Sequence, residues 1–255
     1  MSDTAAGTAR APYSAGTDQP KPWRARVDAV DWDAVGQDLD RLGCGLTSPL
    51  LTPAEAAGIA ALYADVSRFR STINMARHRF GEGEYRYFAE PFPDAITELR
   101  EALYPRLLPV ARDWWARLGR AAPWPDSLRD WLRMCHAGGQ TRPTPILLKY
   151  GEGDWNALHR DLYGELVFPL QATILLSEPA RDFEGGEFML VEQRPRQQSR
   201  GEVVPLRQGD AVIFAVNERP VKGARGYHRT AMRHGVSSLR QGERFTLGII
   251  FHDAA

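Results

Sequence analysis

The spacing of hydrophobic positions changes about halfway along the chain. In the first half, apolar residues recur every three or four positions, which predicts helices. The second of these helices begins with a capping signature, in which Thr52 is the N-cap, Pro53 lies in the first turn and Glu55 follows. Pro105 and Pro109 predict an interruption of the third helix. The predicted helices cover residues 27–42, 53–66, 94–118 and 126–136.

After Gly138 and Gly139 the helical period gives way to short apolar runs separated by Gly, Pro, Asn and Arg. Such runs are typical of short β-strands joined by turns. They are TPILLKY, LVFPLQATILL, GEFMLVEQ, EVVPL, DAVIFAV and FTLGIIF. No internal repeat is visible in the sequence. Helices followed by strands predict an α+β fold, with a sandwich or barrel in the C-terminal half.

Composition adds limits on size and partners. The chain has 255 residues, 43% of them hydrophobic, which suits one domain with a sizeable core or one domain with a helical extension. Its formal net charge is zero, so no global field draws it to nucleic acid or to an anionic membrane. The N-terminal residues are rich in Ala, Gly, Thr, Ser and Pro without a period, which predicts a disordered tail over residues 1–26.

Targeting and cysteine patterns favour a soluble cytoplasmic protein without a membrane partner. The N-terminus has no apolar signal-peptide segment, and nowhere do roughly eighteen apolar residues run together. Cys44 and Cys135 lie far apart and outside metal-binding spacing. We therefore expect two buried, reduced thiols and no disulfide framework.

The stretch NALHRD combines a histidine and an aspartate at strand spacing. If it ends a strand, His159 and Asp161 project from the same face, whereas Arg160 points away. An HxD triplet alone is most often a surface pair on a loop, so the assignment needs a third ligand. His234, at the start of a candidate hairpin, supplies it. Two histidines and one carboxylate that leave coordination positions open form the arrangement used by non-haem Fe(II) oxygenases.

Arg244 and Thr246 add a second component to this candidate metal site. They follow His234 along the chain, with Gly242 in the turn between them. On a strand, Arg244 and Thr246 share one face, while the apolar residues next to them line the other. A buried arginine is costly unless it meets an anion, and its guanidinium fork fits a carboxylate bidentately. The sequence therefore predicts a small carboxylate ligand beside the metal.

Together these residues resemble a known family. HRD at 159–161 followed by HGVSSLRQGERFTL at 234–247 looks like the HxD…HxVxxVxxGxRxxL pattern of the 2-oxoglutarate/Fe(II)-dependent dioxygenases. KYGEGDWN, with Tyr150 ahead of the first histidine, is similar to an approach strand of that family. FEGGEF and VPLRQGDAVIF resemble two further strands of the same barrel, in the same order.

The resemblance covers about residues 140–253 and implies a fold. That fold is a double-stranded β-helix, a cupin-like jelly roll, which we expect over residues 140–255. Residues 27–139 would then form a helical support region packed on the jelly roll.

The resemblance also implies roles for individual residues. The Fe(II) ligands would be His159, Asp161 and His234. The distal carboxylate of 2-oxoglutarate would be bound by Arg244 and supported by Tyr150 and Thr246. The implied reaction uses O₂, releases succinate and CO₂ and hydroxylates a nearby C–H bond, with ascorbate as a stimulant. Gln171 is a weaker candidate for facing the same pocket. The remaining histidines match no ligand position and are expected to be satisfied or solvated: His78, His136, His228 and His252.

The substrate is less determined than the cofactors. Between Arg194 and Arg233 the sequence has nine basic residues and three acidic ones. Such an excess of positive charge suits the binding of phosphates. Alternatively, it is scattered surface charge whose partners lie elsewhere in the chain. The basic residues are Arg194, Arg196, Arg200, Arg207, Arg219, Lys222, Arg225, Arg229 and Arg233. The full length resembles a small bacterial group predicted to demethylate damaged nucleic acids, by distant similarity to AlkB-type demethylases. Those enzymes carry a second arginine at the position of Ile250. A prolyl-hydroxylase-like enzyme acting on peptides or a small molecule, and a non-enzymatic cupin-like module, remain the alternatives.

Overall fold

The computed structural model describes residues 22–194 and 196–255. Most of the predicted tail, residues 1–21, lies outside the described residues. Helix α1 spans Pro22–Asp28 and buries Val27, so residues 22–26 are helical and do not belong to a tail. Pro22 suits this start because the missing N–H and fixed φ of proline cost nothing in the first turn of a helix.

Five further α-helices occur in the described residues. The capping box predicted for α3 is confirmed, since the Glu55 backbone N–H donates to Thr52 Oγ1 over 3.3 Å and the Thr52 N–H donates to Glu55 Oε2 over 2.7 Å. This helix is shorter than predicted and is followed by 3-10 turns at 62–64 and 66–68. The helices are α2 (Trp32–Leu42), α3 (Pro53–Ala61), α4 (Met75–His78), α5 (Asp94–Arg117) and α6 (Leu128–Ala137).

Helix α5 continues through Pro105 and Pro109, so the predicted interruption was wrong. A proline inside a helix costs about 3 kcal/mol or more. The helix offsets this cost by burying one long face, which includes Leu103, Leu107 and Trp114. Each large apolar side chain that is fully buried contributes about 1.5–3 kcal/mol, so tertiary packing outweighs the local preference against helix.

Each of the six apolar runs predicted as strands overlaps a strand of the structure. The fifteen strands of the described residues are β1 (Cys44–Leu46), β2 (Phe69–Asn74), β3 (Gly81–Glu82), β4 (Glu84–Phe88), β5 (Ile146–Tyr150), β6 (Trp155–His159), β7 (Leu170–Leu175), β8 (Phe183–Gly185), β9 (Phe188–Gln193), β10 (Arg200–Val204), β11 (Ala211–Ala215), β12 (Glu218–Gly223), β13 (Gly226–Val236), β14 (Leu239–Gly242) and β15 (Arg244–Ile249).

Two antiparallel sheets form the body of the molecule. The larger has the order β1-β11-β7-β15-β5-β4-β2, and the smaller has the order β10-β9-β13-β6-β3, with β12 paired to β13. The rings of Phe188 on β9 and Phe214 on β11 lie 4.9 Å apart and join the sheets across the core. The chain passes between the sheets from β5 to β6 and back to β7. The antiparallel β part of the predicted fold is thereby confirmed.

The N-terminal region contributes strands as well as helices. Strands β2 and β4 extend the larger sheet beyond β5, β1 extends it at the opposite edge, and β3 pairs with β6. The region 27–139 is therefore not purely helical, because its strand β4 pairs with the edge of β5. The division between residues 139 and 140 stays a prediction.

A buried ion pair joins α5 to the segment that follows β15. The Arg100 guanidinium donates from Nη2 to Asp253 Oδ1 and from Nε to the carbonyl of Ile250, both over 2.9 Å. Arg100 and Asp253 are almost fully buried. Removing one partner of such a pair costs about 3–5 kcal/mol because the other charge is left unpaired. This contact fixes the backbone at Ile250, which lines the cavity described below.

Candidate active site

The three predicted metal ligands converge between the two sheets. His159 ends β6, His234 lies directly opposite it on β13, and Asp161 follows in the loop after β6. The Asp161 carboxylate oxygens lie 3.5 Å from Nε2 of His159 and 3.2 Å from Nε2 of His234. One ligand atom from each residue falls within 4.8 Å of the other two. Among the described residues, no other group of three His, Cys, Asp or Glu side chains converges in this way.

Two side chains hold the Asp161 carboxylate. The Tyr163 hydroxyl donates to Oδ1 over 2.8 Å, and Gln171 Nε2 donates to Oδ2 over 2.7 Å. Burial alone would raise the pKa of Asp161, but the adjacent His234 and His159 outweigh burial and hold this pKa well below its usual range. The carboxylate is therefore ionised and fixed in orientation. Outer partners of this kind orient metal ligands in proteins.

The tautomer of His159 follows from its backbone contact. Nδ1 lies 2.7 Å from the carbonyl of Ala157, and because a carbonyl only accepts, Nδ1 carries the proton. Nε2 is then the unprotonated nitrogen and faces Asp161, as a metal ligand requires. On His234, Nδ1 is buried and meets no hydrogen-bond partner among the described residues.

Arg244 and Thr246 lie on one face of β15, as predicted, and both line the cavity that contains the three ligands. Only 1% of Arg244 is exposed, and its Nε and Nη1 meet no hydrogen-bond partner in the described part of the chain. Burial lowers the pKa of Arg244 to about 10. The guanidinium remains charged at neutral pH, and a buried charge with unmet donors is costly. This end of the cavity therefore suits an anion.

Tyr150 lies directly opposite Arg244 in the β5–β15 ladder. The Arg244 guanidinium carbon is 5.6 Å from the centre of the Tyr150 ring, and Asn156 Nδ2 donates to the Tyr150 hydroxyl over 3.2 Å. Burial raises the pKa of Tyr150 to about 12, so the phenol stays protonated. Because the hydroxyl oxygen already accepts a hydrogen bond from Asn156, its own proton is free to be donated into the cavity.

A single cavity of about 370 Å³ connects these groups. Its size lies within the ordinary range for small-molecule sites, roughly 300–1,000 Å³. The polar end holds Arg244, Tyr150 and Asn156, and the metal ligands follow. The remaining wall is apolar and aromatic, and comprises Tyr85, Ile146, Leu148, Tyr163 and Ile250, with Phe80, Arg160 and Leu162 also lining the cavity.

Ile250 occupies the position where AlkB-type enzymes carry a second arginine. It is buried and packs with Tyr87 and Ile146 in a small apolar cluster separate from the main core. At this position the wall of the cavity is therefore apolar.

The basic residues predicted from the sequence divide into two groups. Arg194 and Arg219 pair with Glu192, Arg200 pairs with Glu202, and Arg229 lies 3.4 Å from Glu218. Arg219 is fully buried, so it stabilises the fold and is not available to a ligand. The others form no ion pair among the described residues, namely Arg196, Arg207, Lys222, Arg225 and Arg233.

The four remaining histidines lie outside the metal-ligand group. His136 pairs with Asp253 over 2.8 Å, and His252 is buried, with Nδ1 accepting from the Phe168 N–H over 3.3 Å. His78 and His228 are exposed.

Sequence reasoning missed several residues of the cavity. Tyr163 follows Asp161 at the same two-residue spacing that relates His159 to Asp161, and this spacing is a signal that could have identified it. Asn156 has no such signal, because it enters the cavity through a shift of register in the pairing of β6 with β13. Tyr85 and Phe80 come from a distant part of the chain, and only sheet pairing brings them to the cavity.

Residues 83–254 match the family Oxygenase-NA, described as an oxygenase catalysing oxidative methylation of damaged DNA. Two uncharacterised proteins from strains of Mycobacterium tuberculosis are 61% identical to the chain over 168 residues, which are 66% of this chain and 72% of each relative.

Two solved structures share the fold. A prolyl hydroxylase from Trichoplax adhaerens, in complex with a hypoxia inducible factor oxygen degradation domain peptide fragment, has a TM-score of 0.54 and 14% identity, over 91% of this chain and 92% of that chain. The non-heme alpha ketoglutarate dependent epimerase SnoN from nogalamycin biosynthesis has a TM-score of 0.51 and 16% identity, over 85% of this chain and 80% of that chain. At these identities the likeness concerns the fold alone. Within the described residues, no helix has the length and apolarity needed to span a membrane.

Proposed function

This chain belongs to the oxygenase family described as acting on damaged DNA, and from that premise we propose that it demethylates damaged bases by oxidation. Fe(II), 2-oxoglutarate and O₂ are its cofactor and cosubstrates. Hydroxylation of an N-methyl carbon gives an N–CH₂OH group, which breaks down to the free N–H and formaldehyde. Removal of the methyl group is therefore the outcome that oxidation of a methylated base allows.

In this proposal the iron ligands are His159, Asp161 and His234. Their support is the donor set itself, with two imidazoles and one ionised carboxylate within 4.8 Å of one another. This set suits Fe(II), which when bound would supply the oxidising chemistry together with 2-oxoglutarate and O₂ as the oxidant. Tyr163 and Gln171 hold the carboxylate, and the Ala157 carbonyl fixes the tautomer of His159.

Arg244 binds the distal carboxylate of 2-oxoglutarate in this proposal. The buried donors at Nε and Nη1, which meet no partner in the described residues, support this role. Thr246 and Tyr150 add hydroxyl groups on the same side of the cavity. A charge-assisted, bidentate contact in a buried site is stronger than a neutral hydrogen bond.

The observation that carries the substrate assignment is the apolar and aromatic wall next to the three ligands. Tyr85 and Tyr163 offer ring faces, and Ile146, Leu148 and Ile250 offer aliphatic contacts. A methylated base is flat and carries an apolar group, so such a wall suits it. The base has to leave its stack to reach a cavity enclosed between two sheets.

The helices support the barrel in this proposal. Arg100 of α5 binds the Ile250 carbonyl, and through that contact the helix fixes one wall of the cavity. The predicted bounds of the helical region, 27–139, and of the jelly roll, 140–255, remain part of the proposal.

The test is succinate release by the full chain with Fe(II), 2-oxoglutarate, O₂ and ascorbate, which we expect to stimulate the enzyme. An oligonucleotide with one N-methylated base should raise the rate, with formaldehyde formed as the methyl is lost. The same sequence without the methyl group is the control. His159→Ala and His234→Ala should abolish turnover and metal binding, while His228→Ala, at an exposed histidine away from the ligands, should not. Stimulation by a proline-containing peptide and not by the oligonucleotide would favour the hydroxylase alternative.

A further inference from the structure

The segment between β2 and β4 borders the cavity. The Ala157 N–H on β6 donates to the Phe80 carbonyl over 2.8 Å, and β3 pairs Gly81 with Asn156. Gly81 has φ +128°, and a Cβ at this position would lie 2.2 Å from the Trp155 carbonyl oxygen. Only glycine allows the chain to approach β6 so closely. The segment is therefore fixed beside the strand that carries His159.

This segment presents an aromatic ring both to the cavity and to solvent. Phe80 lines the cavity and is 45% exposed. His78 stacks on it, with ring centres 5.4 Å apart and an interplanar angle of 19°. Several of the exposed large apolar side chains of the described residues lie on this segment or on the adjacent β6 and its loop: Phe80, Trp155, Leu158 and Leu162. A cluster of exposed apolar groups at a cavity entrance is typical of a binding surface.

Positive charge without a carboxylate partner lies on the residues next to Phe80 in sequence and at the cavity itself. Arg77 and Arg79 are exposed, and no carboxylate of the described residues forms an ion pair with either. Arg160 is also exposed and lines the cavity, and its Nη1 donates over 2.9 Å to the side-chain oxygen of Asn217, which is neutral. Elsewhere arginines are commonly paired, as Arg194 and Arg219 are with Glu192.

We propose that Arg77, His78, Arg79, Phe80 and Arg160 form a docking surface, here called the mouth surface, for the DNA strand that flanks the unstacked base. The arginines bind phosphates, and Phe80 with His78 stacks on the neighbouring base. Aromatic rings beside a positively charged track are the combination that binds single-stranded nucleic acid. This inference rests on the proposed function and assigns its substrate to single-stranded or locally unpaired DNA.

The tip of the β12–β13 hairpin is the rival surface. Lys222 and Arg225 are exposed there and form no ion pair in the described residues. Arg225 precedes His234 by nine positions along an extended strand, a separation of about 30 Å at roughly 3.3 Å per residue. Phe80, by contrast, lines the same cavity as His234. The hairpin therefore offers a matched control, because removing its two positive charges changes the net charge by the same amount as removing those of Arg77 and Arg79.

The experiment measures binding of a fluorescent single-stranded oligonucleotide, about 12 nucleotides long with one N-methylated adenine, over a range of salt concentrations. The protein is the full chain with Mn(II) and 2-oxoglutarate. Arg77→Gln with Arg79→Gln should reduce the log–log salt slope by about 1.4, since each phosphate contact on a single strand contributes about 0.7. Phe80→Ala should weaken binding about 5- to 150-fold and leave the slope unchanged. Lys222→Gln with Arg225→Gln should alter neither quantity.

The possible failures differ from one another. If the hairpin pair reduces the slope and the Arg77/Arg79 pair does not, the mouth surface is refuted while the proposed function stands. If the wild-type protein binds no DNA and a proline-containing peptide stimulates succinate release, the DNA substrate and the mouth surface fail together. Thermal unfolding of each variant checks the fold, which these exposed side chains should not affect.

Discussion

Among single residues, Arg244 connects the fold most directly to the proposed cosubstrate binding. It is buried opposite Tyr150, and two of its nitrogens meet no partner in the described residues. In a protein without its ligand, this arrangement costs free energy that an incoming carboxylate recovers. In the proposed role, Arg244 therefore lowers the stability of the ligand-free protein and binds the carboxylate more tightly.

Replacing Arg244 should separate cosubstrate binding from metal binding. Arg244→Met retains most of the buried volume. We expect it to weaken the binding of 2-oxoglutarate by about 2–5 kcal/mol, which is about 30-fold to several thousand-fold in affinity. Arg244→Lys should recover only part of this loss, because an ammonium cannot reproduce the guanidinium fork. The measurement is a calorimetric titration of the Mn(II)-loaded protein with 2-oxoglutarate. Unchanged affinity in Arg244→Met would rule out the assigned role.

Tyr163 should affect the metal site through Asp161. Tyr163→Phe removes the hydroxyl that donates to Asp161 Oδ1 over 2.8 Å. Loss of such an outer partner typically weakens metal binding about 10- to 100-fold. A titration with Co(II) or Mn(II) measures the change. Tyr104→Phe is the matched control, because its hydroxyl donates to the Pro125 carbonyl and lies away from the metal ligands. Equal affinities in the two variants would show that Tyr163 does not position Asp161.

At the scale of elements, the turn between β8 and β9 shapes the position of Arg244. Gly186 in this turn has φ +62°, and a Cβ there would lie 2.5 Å from Leu239 Cδ1 and 2.9 Å from Arg244 Cδ. The Gly-Gly pair of the sequence motif thus leaves room for the arginine side chain. Both the positive φ and the lack of space for a Cβ therefore require glycine at position 186.

Gly186→Ala should therefore lower both stability and cosubstrate affinity. The strained φ costs about 1–3 kcal/mol, and displacement of Arg244 weakens 2-oxoglutarate binding in addition. Chemical denaturation and the same calorimetric titration measure the two effects. Gly201→Ala is the control, because Gly201 lies on β10 and a Cβ there would meet nothing within 4 Å. If Gly186→Ala binds 2-oxoglutarate as the wild type does, the turn has no influence on the arginine.

At the scale of the whole molecule, the burial of His252 couples stability to pH. His252 lies in the core near the buried Arg100–Asp253 pair, and burial followed by the charge of Arg100 lowers its pKa from 6.5 to about 4. Between these values the folded protein binds fewer protons than the unfolded chain. The contribution of neutral, buried His252 to stability is then fully present above about pH 6.5, and it is lost as the pH decreases toward 4.

His252→Asn should remove this part of the pH dependence. The wild-type free energy of unfolding should fall by up to about 3 kcal/mol between pH 6.5 and 4, at about 1.4 kcal/mol per pH unit. Asn retains a side-chain oxygen that can accept from the Phe168 N–H, so the variant should fold. Urea denaturation at several pH values measures the slope. His228→Asn, at an exposed site, should keep the wild-type slope, and an unchanged slope in His252→Asn would contradict the assignment.

The two cysteines also belong to this scale. Cys44 and Cys135 are free and buried, as predicted, and burial raises the pKa of Cys44 to about 12 and that of Cys135 to about 11. Both thiols are therefore protonated and poorly reactive at neutral pH. The cytoplasmic location stays a prediction.

The sequence by itself determined the positions that depend on local geometry. Alternation along β15 is enough to put Arg244 beside Thr246, because strand side chains repeat every two residues. Asp161 lies in the loop after β6, only two residues from His159, so their proximity is also local. The cap formed by Thr52 and Glu55 is also local, because it joins residues three positions apart at the start of α3. These features needed no knowledge of which strands pair.

Only the tertiary structure decided the features that depend on long-range pairing and burial. Sheet pairing brings Phe80 and Tyr85 to a cavity whose metal ligands lie far along the chain, and no local pattern specifies that pairing. Asn156 enters through a register shift between β6 and β13. Helix α5 passes through two prolines because its buried face outweighs their cost. Ion pairing with Glu192 and other carboxylates likewise decided which basic residues remain available to a ligand, since charge in sequence does not reveal its partners in space.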